Sequence, residues 1–148
     1  MQKSIPQLDW SKSFMYSIHQ TEFLVKKHLE HRLNLKHGIT FSQFLVLLSL
    51  RCNEKASQVD VAEFLHVTQA TVSRHIVILS KQGLLSRNTK KGNRRTNTLQ
   101  LTKKGERALS QAQTIIEHEL EIVFGKIPSR DRKTILHAFE LVLHQLTH

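Results

Sequence analysis

Apolar residues recur at helical spacing from Trp10 to about residue 35, at Phe14, Ile18, Val25 and Leu29 with Phe23 and Leu24 adjoining. That pattern predicts a long amphipathic helix, which Gly38 can close in the left-handed conformation. The run "TFSQFLVLLSL" opens with Thr40 and has Gln43 three residues on, a capping-box signature. This second helix is apolar on nearly all sides and is therefore expected at the centre of the core. Ser57 and Asp60 repeat the start signal ahead of Val61, Ala62, Phe64 and Leu65, expected to form one buried stripe on a short third helix. Thr68 is a good N-cap for a fourth, with Val72, Ile76 and Leu79 inward, Ile78 beside them, and Gly83 as its stop. Only His66 and Val67 separate the third and fourth helices.

The period then changes. Residues 84–88 and 96–101 read as two short strands joined by "KKGNRR", with Gly92 as the turn residue. Helical spacing returns from Lys103 through Ala108, Ala112, Ile115, Leu120 and Phe124. Gly125 and Pro128 break it, and Ser129 is expected to cap a last helix bearing Ile135, Phe139, Val142 and Leu146. The predicted fold is mainly α, a winged helix-turn-helix in the order α-α-α-α-β-β-α-α with helical flanks.

The chain of 148 residues is the size of one ordinary domain. Its longest apolar run, "FLVLL", is far short of the roughly 18 residues a membrane span needs, so no membrane partner is expected. The start "MQKSIPQLDWSKSF" has no apolar signal region, and the lone Cys52 cannot form an internal disulfide. A cytoplasmic location is the expectation. No nucleophile with a base and an orienting group, no phosphate-binding Gly loop and no paired carboxylates can be proposed. Neither an enzyme nor a cofactor is expected.

Charge sharpens the picture once it is located. The formal net charge is +10, and no Asp or Glu occurs between Glu63 and Glu106. That window holds nine cations: Arg74, Lys81, Arg87, Lys90, Lys91, Arg94, Arg95, Lys103 and Lys104. A solvated basic face normally mixes both signs, whereas segregation of this kind is the footprint of a nucleic-acid surface. An α-helix fits the major groove of B-DNA and reads it with exposed residues near its N-terminus. Thr68, Gln69, Ala70, Thr71, Ser73 and Arg74 occupy that position in the fourth helix. Gln can read adenine, Arg can read guanine, and Ala or Thr methyls can meet the thymine methyl. Lys81, Arg87, Lys90 and Lys91 suit phosphate contacts, which set register without reading sequence. Lys103 and Lys104 are equally well read as solvated first-turn residues.

The segment "VAEFLHVTQATVSRHIVILSKQGLLSR" followed by "GNRRTNTLQLTKKG" resembles the MarR family of bacterial transcriptional regulators. The resemblance implies one MarR-like domain over 1–148, with a DNA-binding winged helix-turn-helix at 40–101 and helical dimerisation regions at 8–37 and 102–148. It further implies a homodimer on a palindromic operator in double-stranded DNA, acting as a repressor released by a small-molecule effector or by oxidation. The family's wing carries Asp-x-Arg, whose Arg enters the minor groove. The matching positions here are Asn93 and Arg95, with Arg94 between them, so the Arg is present while Asn supplies a hydrogen-bond acceptor without charge.

The remaining groups have plainer readings. Cys52 is expected to be buried or inert. His137, Glu140 and His144 share a helical face, but three ligands on one helix rarely suffice for a metal. Surface or interface histidines are expected there. Trp10, Phe14, Tyr16, Phe41 and Phe44 are expected in core or interface, and no effector site is assigned to them. The competing functional reading is an interaction protein of the same fold that binds another regulator. An RNA-binding role lacks the aromatic-bearing strand platform it would need.

Overall fold

Both predicted capping boxes form. Thr40 Oγ1 accepts from Gln43 N at 3.1 Å while Gln43 Oε1 accepts from Thr40 N at 2.9 Å. Ser57 and Asp60 make the same reciprocal pair at 3.2 and 2.7 Å. The two backbone and side-chain hydrogen bonds from Ser57 hold the Asp60 carboxyl below its ordinary pKa. The structure, a computed structural model, describes residues 10–54, 56–89 and 97–147. Its elements are α1 (Trp10–His37), α2 (Phe41–Cys52), α3 (Gln58–Leu65), α4 (Gln69–Lys81), β1 (Leu85–Thr89), β2 (Asn97–Leu101), α5 (Lys103–Phe124) and α6 (Ser129–Thr147). The order is the predicted one; β1 begins one residue later than the alternation suggested, and β2 is described from Asn97.

Two compact units divide the chain, the first ending at Ile115 and the second beginning at Ile116. In the first, α2 is the central helix, burying Phe44, Val46, Leu47 and Leu50 together with Gln43 and Ser49. Leu29 and Leu33 of α1, Val61 and Ala62 of α3, and Val72, Ile76 and Leu79 of α4 complete its core with Leu85 and Leu99 of the strands. The expected stripe on α3 is narrower than the sequence suggested. Phe64 is 54% exposed, and only Val61 and Ala62 of this two-turn helix are fully buried.

The hairpin is antiparallel, pairing Leu85 with Leu101 and Arg87 with Leu99. Its base is stitched to the α2–α3 connection, where Leu99 N donates to Ala56 O at 2.9 Å and Thr98 bridges Ser57. At the end of α4, Gly83 adopts φ +71°. Gly83 N donates to Ser80 O and Leu84 N to Leu79 O, both at 2.9 Å, a Schellman motif sealed by the buried Leu79 and Leu84.

The "LTKKG" sequence then docks the start of α5 on this cap. Thr102 Oγ1 donates to Gly83 O at 2.7 Å and accepts from Gly105 N at 3.0 Å. Lys104 Nζ donates to Gln82 O at 2.8 Å, placing its charge at the negative end of the α4 dipole. Lys104 is thus more than a merely solvated side chain. The approach is close: a Cβ on Gly105 would stand 1.9 Å from the Leu84 carbonyl oxygen.

In the second unit, Arg132 Nη1 pairs with Glu121 Oε2 at 2.9 Å. Ser129 is the first residue of α6 rather than its cap. The first turn closes instead on the Pro128 carbonyl, which accepts from Asp131 N and Arg132 N. No residue of α6 is buried, and Ile135, Leu136, Phe139, Leu141, Val142, Leu143 and Leu146 are all exposed.

Candidate nucleic-acid interface

The α3–α4 turn is set by local backbone chemistry. His66 takes the left-handed conformation at φ 52°, while His66 N donates to Glu63 O and Val67 N to Ala62 O. The chain therefore makes with a histidine the turn that a glycine usually makes. Thr68 caps α4, its Oγ1 accepting from Thr71 N at 3.2 Å. Gln58 Nε2 donates to Gln69 O at 3.0 Å, so α3 braces the first residue of α4 directly.

Val72, Ile76 and Leu79 are fully buried, which fixes the opposite side of α4 outward. There Thr68, Gln69, Ala70 and Arg74 are exposed, and Thr71 and Ser73 half-buried. Arg74 Nη2 reaches the Thr71 hydroxyl at 3.4 Å. Lys81 closes the helix and Arg87 lies on β1, both exposed. Among the described residues, none of these three cations is paired with a carboxylate. Helix N-terminus and cations add up to a positive, donor-rich surface. Lys90, Lys91, Asn93, Arg94 and Arg95 lie outside the described residues.

Three features of this helix escaped sequence reasoning. Ile78, expected beside the core, is 43% exposed, and its neighbour Val77 is 42% exposed. They line one shallow concavity with Ala70, Ser73 and Arg74. His75, which no pattern singled out, is half-buried with its Nδ1 enclosed and without a hydrogen-bond partner. Burial lowers its pKa below the ordinary imidazole value, the Arg74 charge lowers it further, and Glu30 of α1 opposes both.

Elsewhere, Cys52, expected to be buried or inert, is exposed at the end of α2. The neighbouring Arg51 turns its guanidinium to Gln113 of α5. Phe41 and Phe44 stack with ring centroids 5.9 Å apart, Phe44 being buried and Tyr16 exposed. His137 Nδ1 lies 3.8 Å from Glu140 Oε2. Among the described residues no cluster of three His, Cys, Asp or Glu side chains is arranged to hold a metal, and no helix is long and apolar enough to cross a membrane.

A short braced helix pair, an outward cationic face and a hairpin define the winged helix-turn-helix class. The MarR family model matches residues 39–96 of this chain. A helix-turn-helix-type transcriptional regulator of Bacillus cereus (strain ZK / E33L) is 39% identical over 77 residues, 52% of this chain and 50% of the relative. The chain thus spans about half the length of the curated relatives it matches. The transcriptional regulator BldR from Sulfolobus solfataricus superposes with a TM-score of 0.82 at 20% identity, covering 94% of this chain and 98% of that one. A cysteine-to-serine mutant of MarR from E. coli, complexed with operator DNA, gives 0.79 at 21% identity, covering 92% and 99%. These likenesses show the fold.

Proposed function

We propose that the protein is a homodimeric, sequence-specific DNA-binding transcriptional regulator that represses from a palindromic operator and is released by a small effector. The observation that carries this reading is the outward face of α4. Short hydrogen-bonding and cationic side chains occupy its N-terminal half, in a 42-residue acid-free window. Gln69, Ala70, Thr71, Ser73 and Arg74 read base edges in the major groove, and Thr68 contacts the backbone beside them. Lys81, Arg87, Lys90, Lys91 and Arg94 hold phosphates, and Arg95, beside Asn93, probes the minor groove. The exposed apolar side chains of α6, with Phe23 and Leu24 of α1, support dimerisation through the helical flanks. Such a dimer places its half-sites about one helical turn, roughly 10 bp, apart.

The test is footprinting on the promoter DNA adjoining its own gene, across a salt titration. Protection of a palindrome, with affinity falling steeply as salt rises, is expected. Arg74→Ala should cost about 1–3 kcal/mol on that site and far less on random DNA. Equal losses on both would remove Arg74 from base reading, and no protected site at all would favour binding to another regulator.

A further inference from the structure

On the outward side of α4 the cations Arg74 and Lys81 bracket Val77 and Ile78. The four positions are spaced i, i+3, i+4 and i+7 and so share one face. The apolar pair is not needed for packing, since Val72, Ile76 and Leu79 already fill the inner side completely. Both side chains remain about two-fifths exposed and open into the concavity shared with Ala70, Ser73 and Arg74. An apolar seat flanked by cations, in a window without a single carboxylate, suits a partner that is polyanionic overall and apolar at a point.

Duplex DNA has one such point in its major groove, the thymine C5-methyl group. From Arg74 to Lys81 the helix rises about 10 Å, or roughly three base-pair steps of about 3.4 Å. A helix lying along the groove therefore carries Val77 and Ile78 over bases next to those that Arg74 reaches. We infer that Val77 and Ile78 form a thymine-methyl reader, which makes one or two thymines per half-site part of the specificity of this protein. The inference rests on the DNA-binding reading above and adds two residues to it.

The experiment starts with the full chain and a random duplex library. The selected site is then resynthesised with deoxyuridine replacing thymidine one position at a time, which removes the methyl group and leaves every hydrogen-bonding edge intact. Each contacted methyl should be worth about fourfold in affinity for the unaltered protein. In a Val77→Ser, Ile78→Ser double variant that ratio should fall to one at the same positions. Serine has helix propensity close to that of the residues replaced, and an unchanged melting temperature confirms that α4 is intact. A ratio of one for the unaltered protein, or a ratio that survives in the double variant, overturns the inference while leaving DNA binding in place. If no sequence is enriched from the library, the DNA-binding reading fails and takes this inference with it.

Discussion

Helices α4 and α6 are both amphipathic, yet only one of them completes its own core. Helix α4 buries Val72, Ile76 and Leu79 to the last atom against the other elements of its unit. Helix α6 buries nothing, although it carries seven large exposed apolar residues. Exposed apolar surface of that extent is typical of interaction faces and supports the dimerisation proposed above. The contrast separates two kinds of helix. One is held by its own chain, which leaves its outer side open for the proposed DNA contact, and the other leaves its apolar side open for the proposed dimerisation.

The largest effect that would probe this contrast is in the α4 core. Ile76→Ala should cost about 2–5 kcal/mol of unfolding free energy in a denaturant titration, through lost burial and the cavity left behind. A loss below 1 kcal/mol would mean that α4 is not locked. On α6, Leu136→Glu with Leu143→Glu should convert a dimer to a monomer in sedimentation equilibrium. A monomeric parent chain, or a variant that sediments like the parent, would break the comparison from the other side.

A smaller effect is expected at His75. Removing its enclosed, unpartnered Nδ1 in His75→Leu should stabilise the fold by about 1 kcal/mol at neutral pH. Because its folded pKa is depressed, the unfolded chain takes up the proton first as pH falls. The contribution of neutral His75 to stability is complete above the unfolded pKa near 6.5 and is lost as pH drops toward the folded value. The parent should therefore melt progressively lower below about pH 6.5, and this part of the pH dependence should vanish in the Leu variant. Smallest of all, His66→Gly should raise stability by about 0.5–1 kcal/mol by relieving left-handed backbone at the turn. A lower melting temperature for that variant would show that the imidazole itself holds the turn.

Element order was legible in the sequence because it is written in local signals. Thr40, Ser57 and Thr68 start helices, Gly83 stops one, and the change of period after residue 83 announces strands. What stayed hidden depends on neighbours rather than on spacing. Ile78 and Phe64 are apolar residues at plausible core positions, but nothing packs over them. Cys52 lies at a helix end that the core does not reach. His66 adopts a conformation for which glycine would be the signal. The state of His75 is set by burial between elements and by Arg74, with Glu30, forty-five positions earlier in the chain, opposing both from α1. The wing residues Lys90, Lys91 and Asn93 to Arg95 remain as the sequence presents them.

Gly105 carries a lesson for anyone engineering this chain. Alanine is the best helix former, and a glycine one turn into a helix is the first site that a propensity-guided stabilisation scheme would replace. Here the added methyl would collide with the Leu84 carbonyl oxygen. That oxygen is part of the backbone and already accepts from Thr102 N at 3.1 Å, so no side-chain rotation can make room. The substitution that helps most helices would lever α5 away from the cap of α4 in this one.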